Sequence, residues 1–213
     1  LGSNHVVVTG FYARALGLEC EALVLPQPDT PLLRTNLKAA LALGVRLTPA
    51  ARWGDAPRAL ASLAGRLGRA AYFIGPGGSS PLGTVGYVVA ALELAAQVEQ
   101  GACPEPAVIV VPLGSGGTAA ALLAGLCQTR LATRVVAVRV VHAALAGHAL
   151  TVLLARRTLR LLHELGAEPR DVDPARLEIW GGHLGPGYGA PTPAGLDAVA
   201  AESGALVAKE DFA

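Results

Sequence analysis

The chain has 213 residues, of which 52% are hydrophobic and only 15% are charged, so it can bury one large core or two modest ones. This composition excludes intrinsic disorder. The 17 basic residues nearly balance the 16 acidic ones, which argues against a nucleic-acid surface, and we interpret the basic cluster at Arg156, Arg157 and Arg160 as a solvated helix face.

Cysteine usage and hydropathy bear on the cellular compartment of the protein and on metal or membrane binding. Three cysteines lie far apart in the sequence without a CxxC pair, and no apolar run reaches the ~20 residues that a membrane span needs. We therefore expect a cytoplasmic protein without a metal site and without a membrane partner. The chain opens on Leu1-Gly2 and contains no methionine, so we expect it to be a fragment of a longer protein.

Apolar periodicity, cap residues and prolines predict helices and strands in alternation. Helices are predicted over residues 5–16, 31–43, 55–69, 82–100, 119–126, 150–165 and after Pro193. Strands are predicted over residues 21–25, 45–48, 70–74, 107–111, 134–141 and 177–180. This alternation is typical of an α/β protein with parallel sheets and right-handed crossovers.

A glycine loop at Gly114 to Thr118 follows the apolar run Ala107 to Val111 and precedes an alanine-rich helix. Glycines let the backbone approach a ligand closely, and amides at a helix N terminus favour a phosphate. The loop is neither a Walker sequence nor a GxGxxG fingerprint, so a nucleotide is not the first expectation. A tight turn without any ligand is an equal alternative.

Two further segments are expected to open helices in the same way, one at Ser3-Asn4-His5 and one at residues 75–81. In open α/β sheets such loops gather at the carboxyl ends of the strands, where ligands bind. We therefore expect a cleft between a smaller α/β domain, residues 5–95, and a larger one formed by residues 1–4 and 96–213.

Four motifs occur in order: Ser3-Asn4-His5, Pro76 to Gly83, Gly114 to Thr118, and Gly187-Tyr188-Gly189-Ala190-Pro191. In this order they resemble the pyridoxal-phosphate enzymes of the tryptophan synthase β type, fold type II. Within them the chain is most similar to the D-cysteine desulfhydrase and 1-aminocyclopropane-1-carboxylate deaminase branch. The resemblance implies two parallel open sheets flanked by helices in three layers, pyridoxal 5'-phosphate as cofactor, a small amino-acid substrate and a homodimer.

The resemblance also implies roles for individual residues. The cofactor phosphate would be held by Gly114, Ser115, Gly116, Gly117 and Thr118, and the ring hydroxyl by Asn4. The substrate would be bound by His5, Gly78, Ser79 and Ser80, while Ser3 and Tyr188 would handle protons.

Each role has a simpler alternative. Ser3 and Asn4 can serve only as a helix cap, and His5 can be a polar surface residue. Tyr188 can be a packing anchor in a loop of glycine and proline. The segment from Gly77 to Ser80 can be an ordinary turn between strand and helix.

One feature of the resembled family is missing. Its enzymes need a lysine that bonds covalently to the cofactor aldehyde, a few dozen residues before the Ser-Asn-His motif. We interpret Lys38 as a surface charge and Lys209 as part of a polar tail. We therefore expect the lysine upstream of Leu1 and the given chain alone to be inactive.

The expected activity of the parent protein is that of a pyridoxal-phosphate-dependent lyase or deaminase. Desulfhydration of D-cysteine to pyruvate, ammonia and sulfide is the first expectation. Deamination of 1-aminocyclopropane-1-carboxylate is one alternative. The other is a non-catalytic pseudo-enzyme that binds a phosphorylated ligand.

Overall fold

The computed structural model describes residues 3–187 and 189–201. The chain divides into two compact units. Of the described residues, the first unit contains 3–73 and 189–201, and the second contains 74–187.

Helices and strands alternate along the chain, and both sheets are parallel. The helices are α1 (Asn4–Ala15), α2 (Pro31–Ala42), α3 (Ala56–Leu67), α4 (Val85–Glu99), α5 (Gly117–Leu126), α6 (His148–Glu164) and α7 (Pro193–Ala201). The strands are β1 (Glu21–Val24), β2 (Arg46–Pro49), β3 (Val108–Leu113), β4 (Arg134–Arg139) and β5 (Leu177–Trp180). Within the described ranges, no helix is both long and apolar enough to cross a membrane.

The first unit contains a two-stranded parallel sheet in which Glu21 of β1 lies opposite Arg46 of β2. The helix between the strands begins where the sequence predicts, because the Thr30 hydroxyl accepts a hydrogen bond from the Leu33 amide at 3.1 Å and proline occupies the first turn. Val45, which precedes β2, is buried against this unit's small core.

A buried carboxylate links β1, β2 and α3. The Glu21 side chain is only 6% exposed and accepts hydrogen bonds from Arg66 and, at 2.6 Å, from the Thr48 hydroxyl. The Arg46 guanidinium lies 3.6 Å away. The hydrogen bonds from Arg66 and Thr48, together with the charges of Arg66 and Arg46, hold the pKa of Glu21 below its usual value. The charged carboxylate therefore stabilises this unit.

The second unit contains a three-stranded parallel sheet in the order β3, β4, β5. Its core is centred on α5, whose residues from Ala119 to Leu126 are all buried. Alanine side chains keep this helix thin, so that it fits against α4, α6 and the sheet. A helix that is apolar all round is typical of a fully buried position.

α4 and α5 approach each other closely at Gly125. A methyl group added there would lie 2.6 Å from the Ala91 Cβ and 2.9 Å from the Val88 carbonyl oxygen. Glycine is therefore required by packing, although its backbone is helical. This contact fixes the spacing of the two helices whose N termini carry the glycine loops.

Arg176 fastens the end of α5 to the beginning of β4. Its guanidinium donates to the carbonyl oxygens of Leu126, Leu131 and Thr133 at 2.6 to 3.3 Å. The Leu126 carbonyl also accepts hydrogen bonds from the amide and the hydroxyl of Thr129, whereas those of Leu131 and Thr133 lie in a buried connection where a partner is needed. One side chain thus satisfies backbone carbonyls on both sides of this connection.

The predicted α/β class with parallel sheets flanked by helices is confirmed, and most predicted elements agree within a few residues. The strand predicted over residues 70–74 is wrong. Tyr72, Phe73 and Ile74 have no strand partner among the described residues and are 78%, 62% and 43% exposed. Their apolar character matches a strand, but pairing requires a neighbour that local sequence cannot supply.

The boundary between the two compact units lies after Phe73, and α4 belongs to the second unit because it packs along α5. The domain division expected at residue 95 stays a prediction. The segment Ser3 to Asn4 belongs with the first unit, as part of the start of α1.

We predict that Gly125→Ala lowers the free energy of unfolding by about 1–2 kcal/mol, because overpacking outweighs the gain of about 1 kcal/mol in helix propensity. Gly86→Ala, in the first turn of α4 with open space around it, is the control and should not destabilise. Urea denaturation measures both. Equal effects of the two substitutions would contradict the packing argument.

We predict that Glu21→Gln destabilises the protein at pH 7 and that this difference disappears in acid. A carboxyl whose pKa is lowered by folding contributes stability above its unfolded pKa of about 4.3, and this contribution is lost as the pH falls through the folded value. Thermal melting at pH 7 and in a series of acidic buffers measures the difference. Glu19→Gln, which removes an exposed ion pair with Arg46, should change little at any pH.

Candidate functional site

The loop after β3 leads directly into α5 through Gly116, whose φ of +87° requires glycine. No side chain caps this helix. The first intrahelical bond runs from the Ala120 amide to the Gly116 carbonyl, which leaves the amides of Gly117, Thr118 and Ala119 without a partner in the described part of the chain. These amides lie at the positive end of the helix and are donors for an anion.

The second glycine loop folds into a tight turn before α4. Gly77 and Gly78 have φ values of +64° and +66°, which other residues rarely adopt. The Ser80 hydroxyl accepts a hydrogen bond from the Gly83 amide at 3.0 Å, so the chain makes one more turn before the regular helix begins at Val85. The helix therefore starts three residues later than the sequence predicts.

The two glycine loops meet within the second unit. The Ser79 hydroxyl donates to the Ser115 hydroxyl at 2.8 Å. A methyl group on Gly117 would lie 2.6 Å from the Ser79 Oγ, and one on Gly77 would collide with the Ser115 Oγ. Close approach of the loops therefore depends on both glycines.

A buried pair of threonines supports this junction from below, and the sequence analysis did not single it out. Thr84 and Thr158 share a hydrogen bond of 2.9 Å between their hydroxyls, and Thr84 also donates to the Pro81 carbonyl. Thr151, on the same face of α6, lies under Gly116. Residues 151, 155 and 158 recur at helical spacing within an apolar stripe, a pattern that could have marked these threonines as buried.

Ser3, Asn4 and His5 lie in the first unit at the start of α1. The Ser3 hydroxyl accepts a hydrogen bond from the His5 amide at 3.2 Å, which is the geometry of a helix cap. The Asn4 side-chain oxygen accepts one from the Asn36 side chain of α2 at 2.7 Å. Because a hydroxyl that accepts a hydrogen bond keeps its own hydrogen, the cap does not use up Ser3 as a donor.

Tyr188 lies outside the described residues. Lys38 is an exposed residue on α2, in agreement with its interpretation as a surface charge. The roles assigned to these residues and to Ser3, Asn4 and His5 stay predictions.

The junction of the two loops suits a phosphate group. Its open amides and the Ser115 and Thr118 hydroxyls are hydrogen-bond donors, and neither loop contains an acidic residue that would repel an anion. Neither loop contains a titratable side chain, so the donors themselves keep their protonation state across the physiological pH range. The residues present thus fit the phosphate arm of a cofactor such as pyridoxal 5'-phosphate.

Comparison with known families agrees with this geometry. The model of the family described as "Pyridoxal-phosphate dependent enzyme" matches residues 2–203, nearly the whole chain. The chain belongs to this family, whose cofactor is pyridoxal 5'-phosphate.

Individual relatives define the branch. The chain is 35% identical over 199 residues to nocardicin C-9' epimerase from Nocardia uniformis subsp. tsuyamanensis, covering 90% of this chain and 59% of the relative. It is 31% identical over 205 residues to D-cysteine desulfhydrase from Salmonella schwarzengrund, covering 92% and 60%. The chain therefore spans about three fifths of the length of these relatives.

Solved structures give the same result for the fold. The crystal structure of a homologue of 1-aminocyclopropane-1-carboxylate deaminase has a TM-score of 0.73 at 28% identity, covering 95% of this chain and 60% of that one. Apo diaminopropionate ammonia lyase from Escherichia coli, with a TM-score of 0.51 at 18% identity and coverage of 65% and 40%, is similar in fold only. The chain thus has the fold type II architecture that its motifs implied.

We predict that Gly117→Ala weakens binding of pyridoxal 5'-phosphate about 10-fold, because the added methyl group displaces Ser79 and breaks its bond to Ser115. Gly86→Ala, in the first turn of α4 and outside both loops, is the control, since no atom lies within 4 Å of its added methyl group. Equilibrium dialysis with the phosphorylated cofactor and with pyridoxal measures both affinity and phosphate discrimination. Similar losses in the two variants would contradict this account of the junction.

Proposed function

We propose that the protein is a pyridoxal-phosphate-dependent lyase that acts on a small amino acid, with D-cysteine as the first candidate. The observation that carries this proposal is the meeting of two glycine loops at the uncapped N terminus of α5. It is supported by the 31% identity to a D-cysteine desulfhydrase.

In this proposal the first loop holds the cofactor. The amides of Gly117 and Thr118 and the Ser115 hydroxyl bind the phosphate, because they are donors at a positive helix end. Asn4 donates to the ring hydroxyl. The bound cofactor supplies an electron-withdrawing ring that weakens the bond between the substrate α-carbon and its hydrogen.

The second loop and the start of α1 are assigned to the substrate. Gly78, Ser79, Ser80 and His5 bind and orient its carboxylate through amide, hydroxyl and imidazole donors. Ser3 and Tyr188 move protons at the substrate carbons. With D-cysteine, loss of the α-proton and of the β-thiol, followed by hydrolysis, gives pyruvate, ammonia and hydrogen sulfide for one molecule of water consumed.

The lysine that bonds covalently to the cofactor in this family is not assigned to Lys38, because Lys38 is an exposed residue on α2. We assign it to another part of the parent protein. Lys209, the other lysine of the sequence, lies outside the described residues. We therefore propose that the given chain binds the cofactor without turning over substrate. A homodimer and a cytoplasmic location also belong to the proposal.

Two alternatives are favoured by particular observations. The 35% identity to nocardicin C-9' epimerase favours inversion of a stereocentre, which requires a proton to leave and return on opposite faces. The TM-score of 0.73 with a deaminase homologue favours ring opening and deamination of 1-aminocyclopropane-1-carboxylate. A pseudo-enzyme that binds a phosphorylated ligand is the non-catalytic alternative.

The test uses protein expressed from the complete coding sequence and loaded with pyridoxal 5'-phosphate. We expect sulfide and pyruvate from D-cysteine, and little from L-cysteine as the stereochemical control. Release of a keto acid from 1-aminocyclopropane-1-carboxylate would instead support the deaminase. Exchange of the α-hydrogen in deuterium oxide without any keto acid would support an epimerase.

Substitutions at Ser3 separate a proton-transfer role from a helix cap. Ser3→Asn keeps a side chain that caps helices well but removes the hydroxyl, whereas Ser3→Ala removes both. We expect kcat to fall about 100-fold or more in both variants if Ser3 transfers a proton. A loss confined to Ser3→Ala, accompanied by a lower melting temperature, would assign the residue to the cap alone.

A further inference from the structure

A cavity lies in the second unit beside the C-terminal half of α6, and no residue of the glycine loops lines it. Its volume is about 420 Å³. We call it the α6 cavity, and it is lined by Arg156, Leu159, Arg160, His163, Pro169, Arg170, Asp171 and Val172.

The lining has an apolar floor and a charged rim. Leu159 and Val172 are 4% and 7% exposed and form part of the core of the second unit. Arg156, Arg160 and His163 recur at spacings of four and three residues, which places them on one face of α6. Arg170 reaches the same cavity from the segment that follows the helix.

Positive charge predominates at this rim. It carries three guanidinium groups and one carboxylate, that of Asp171. Within residues 3–187 and 189–201, Arg156, Arg160 and Arg170 form no ion pair or hydrogen bond. Other arginines of the same chain, such as Arg34 and Arg66, do bind carboxylates. The guanidinium groups of the cavity thus keep their full hydrogen-bonding capacity.

The histidine at the rim has a fixed orientation. Its Nδ1 lies 3.1 Å from the Ala167 carbonyl oxygen, and because a carbonyl only accepts, Nδ1 carries the hydrogen. The opposite ring nitrogen, Nε2, is therefore available to a ligand hydroxyl.

The simpler account is a solvated helix face, which the sequence alone favours for this basic cluster. That account treats Arg156, Arg157 and Arg160 alike. The structure separates them, because Arg157 does not line the cavity whereas Arg170, 10 residues beyond Arg160 and off the helix, does. Cationic side chains from two segments of the chain thus line one concavity.

We propose that the α6 cavity binds a phosphorylated small molecule. Guanidinium groups match phosphate oxygens in bidentate geometry, and several of them around one cavity favour a ligand with two or more negative charges. The volume lies within the range of about 300–1,000 Å³ that is common for small-molecule sites. The buried leucine and valine contact the uncharged part of the ligand.

The test is isothermal titration calorimetry with inorganic pyrophosphate, on protein saturated with pyridoxal 5'-phosphate so that the loop at α5 is already filled. Arg156→Gln combined with Arg160→Gln should weaken pyrophosphate binding about 10-fold or more. Arg157→Gln removes the same charge from the neighbouring position and should change the affinity less than about 2-fold. Arg170→Gln, off the helix, should weaken binding as well.

Each outcome decides the proposal. The proposal would be overturned if the loss of affinity depended only on the number of positive charges removed, so that Arg157→Gln lost as much per charge as the double variant. Unchanged binding in every variant would also overturn it. A parallel titration with adenosine diphosphate distinguishes an organic phosphate, which should bind more tightly than pyrophosphate, from the inorganic ion. The absorbance of the bound cofactor should stay unchanged in all these variants. Failure of this proposal can therefore be told apart from failure of the proposed function at the glycine loops.

Discussion

The close contact between α4 and α5 at Gly125 is the constraint on which the rest of the second unit depends. Each of these helices begins with a glycine loop, and their separation decides whether Ser79 can reach Ser115. Alanines along α5 and the absence of a side chain at Gly125 permit the short distance. Thr84 and Thr158 then fix α4 against α6 through hydroxyl groups buried in the same core. The donors that we propose for the phosphate are thus positioned by packing and not by a charged network.

Much of this arrangement could be predicted from the sequence because its determinants are local. Thr30-Pro31 defines the start of α2, and the apolar run before Gly114 defines β3. The Ser80 turn, which delays α4, depends on a side-chain hydrogen bond that periodicity does not show. The erroneous strand at residues 70–74 has the same cause, since strand formation depends on a partner at a distance.

Some features of the candidate site could likewise be predicted from the sequence, and others could not. The meeting of Ser79 with Ser115 follows from the rule that loops gather at the carboxyl ends of parallel strands. The threonines beneath it were missed because hydroxyl groups in a helix are usually taken as surface residues. The roles predicted for Asn4 and Tyr188 depend only on the resemblance carried by the four ordered motifs. The spacing of residues in the sequence does not determine which reaction step a side chain performs. Family membership, by contrast, depends on nearly the full length of the chain.

The exposed run Tyr72-Phe73-Ile74 has a practical consequence for anyone who prepares this polypeptide. Three adjacent large apolar side chains face solvent, and their backbone groups form no hydrogen bond within the described part of the chain. Adjacent exposed apolar side chains of this kind favour association with another molecule. Preparations at high concentration should therefore self-associate, and fluorescent dyes that bind hydrophobic surfaces should report this segment.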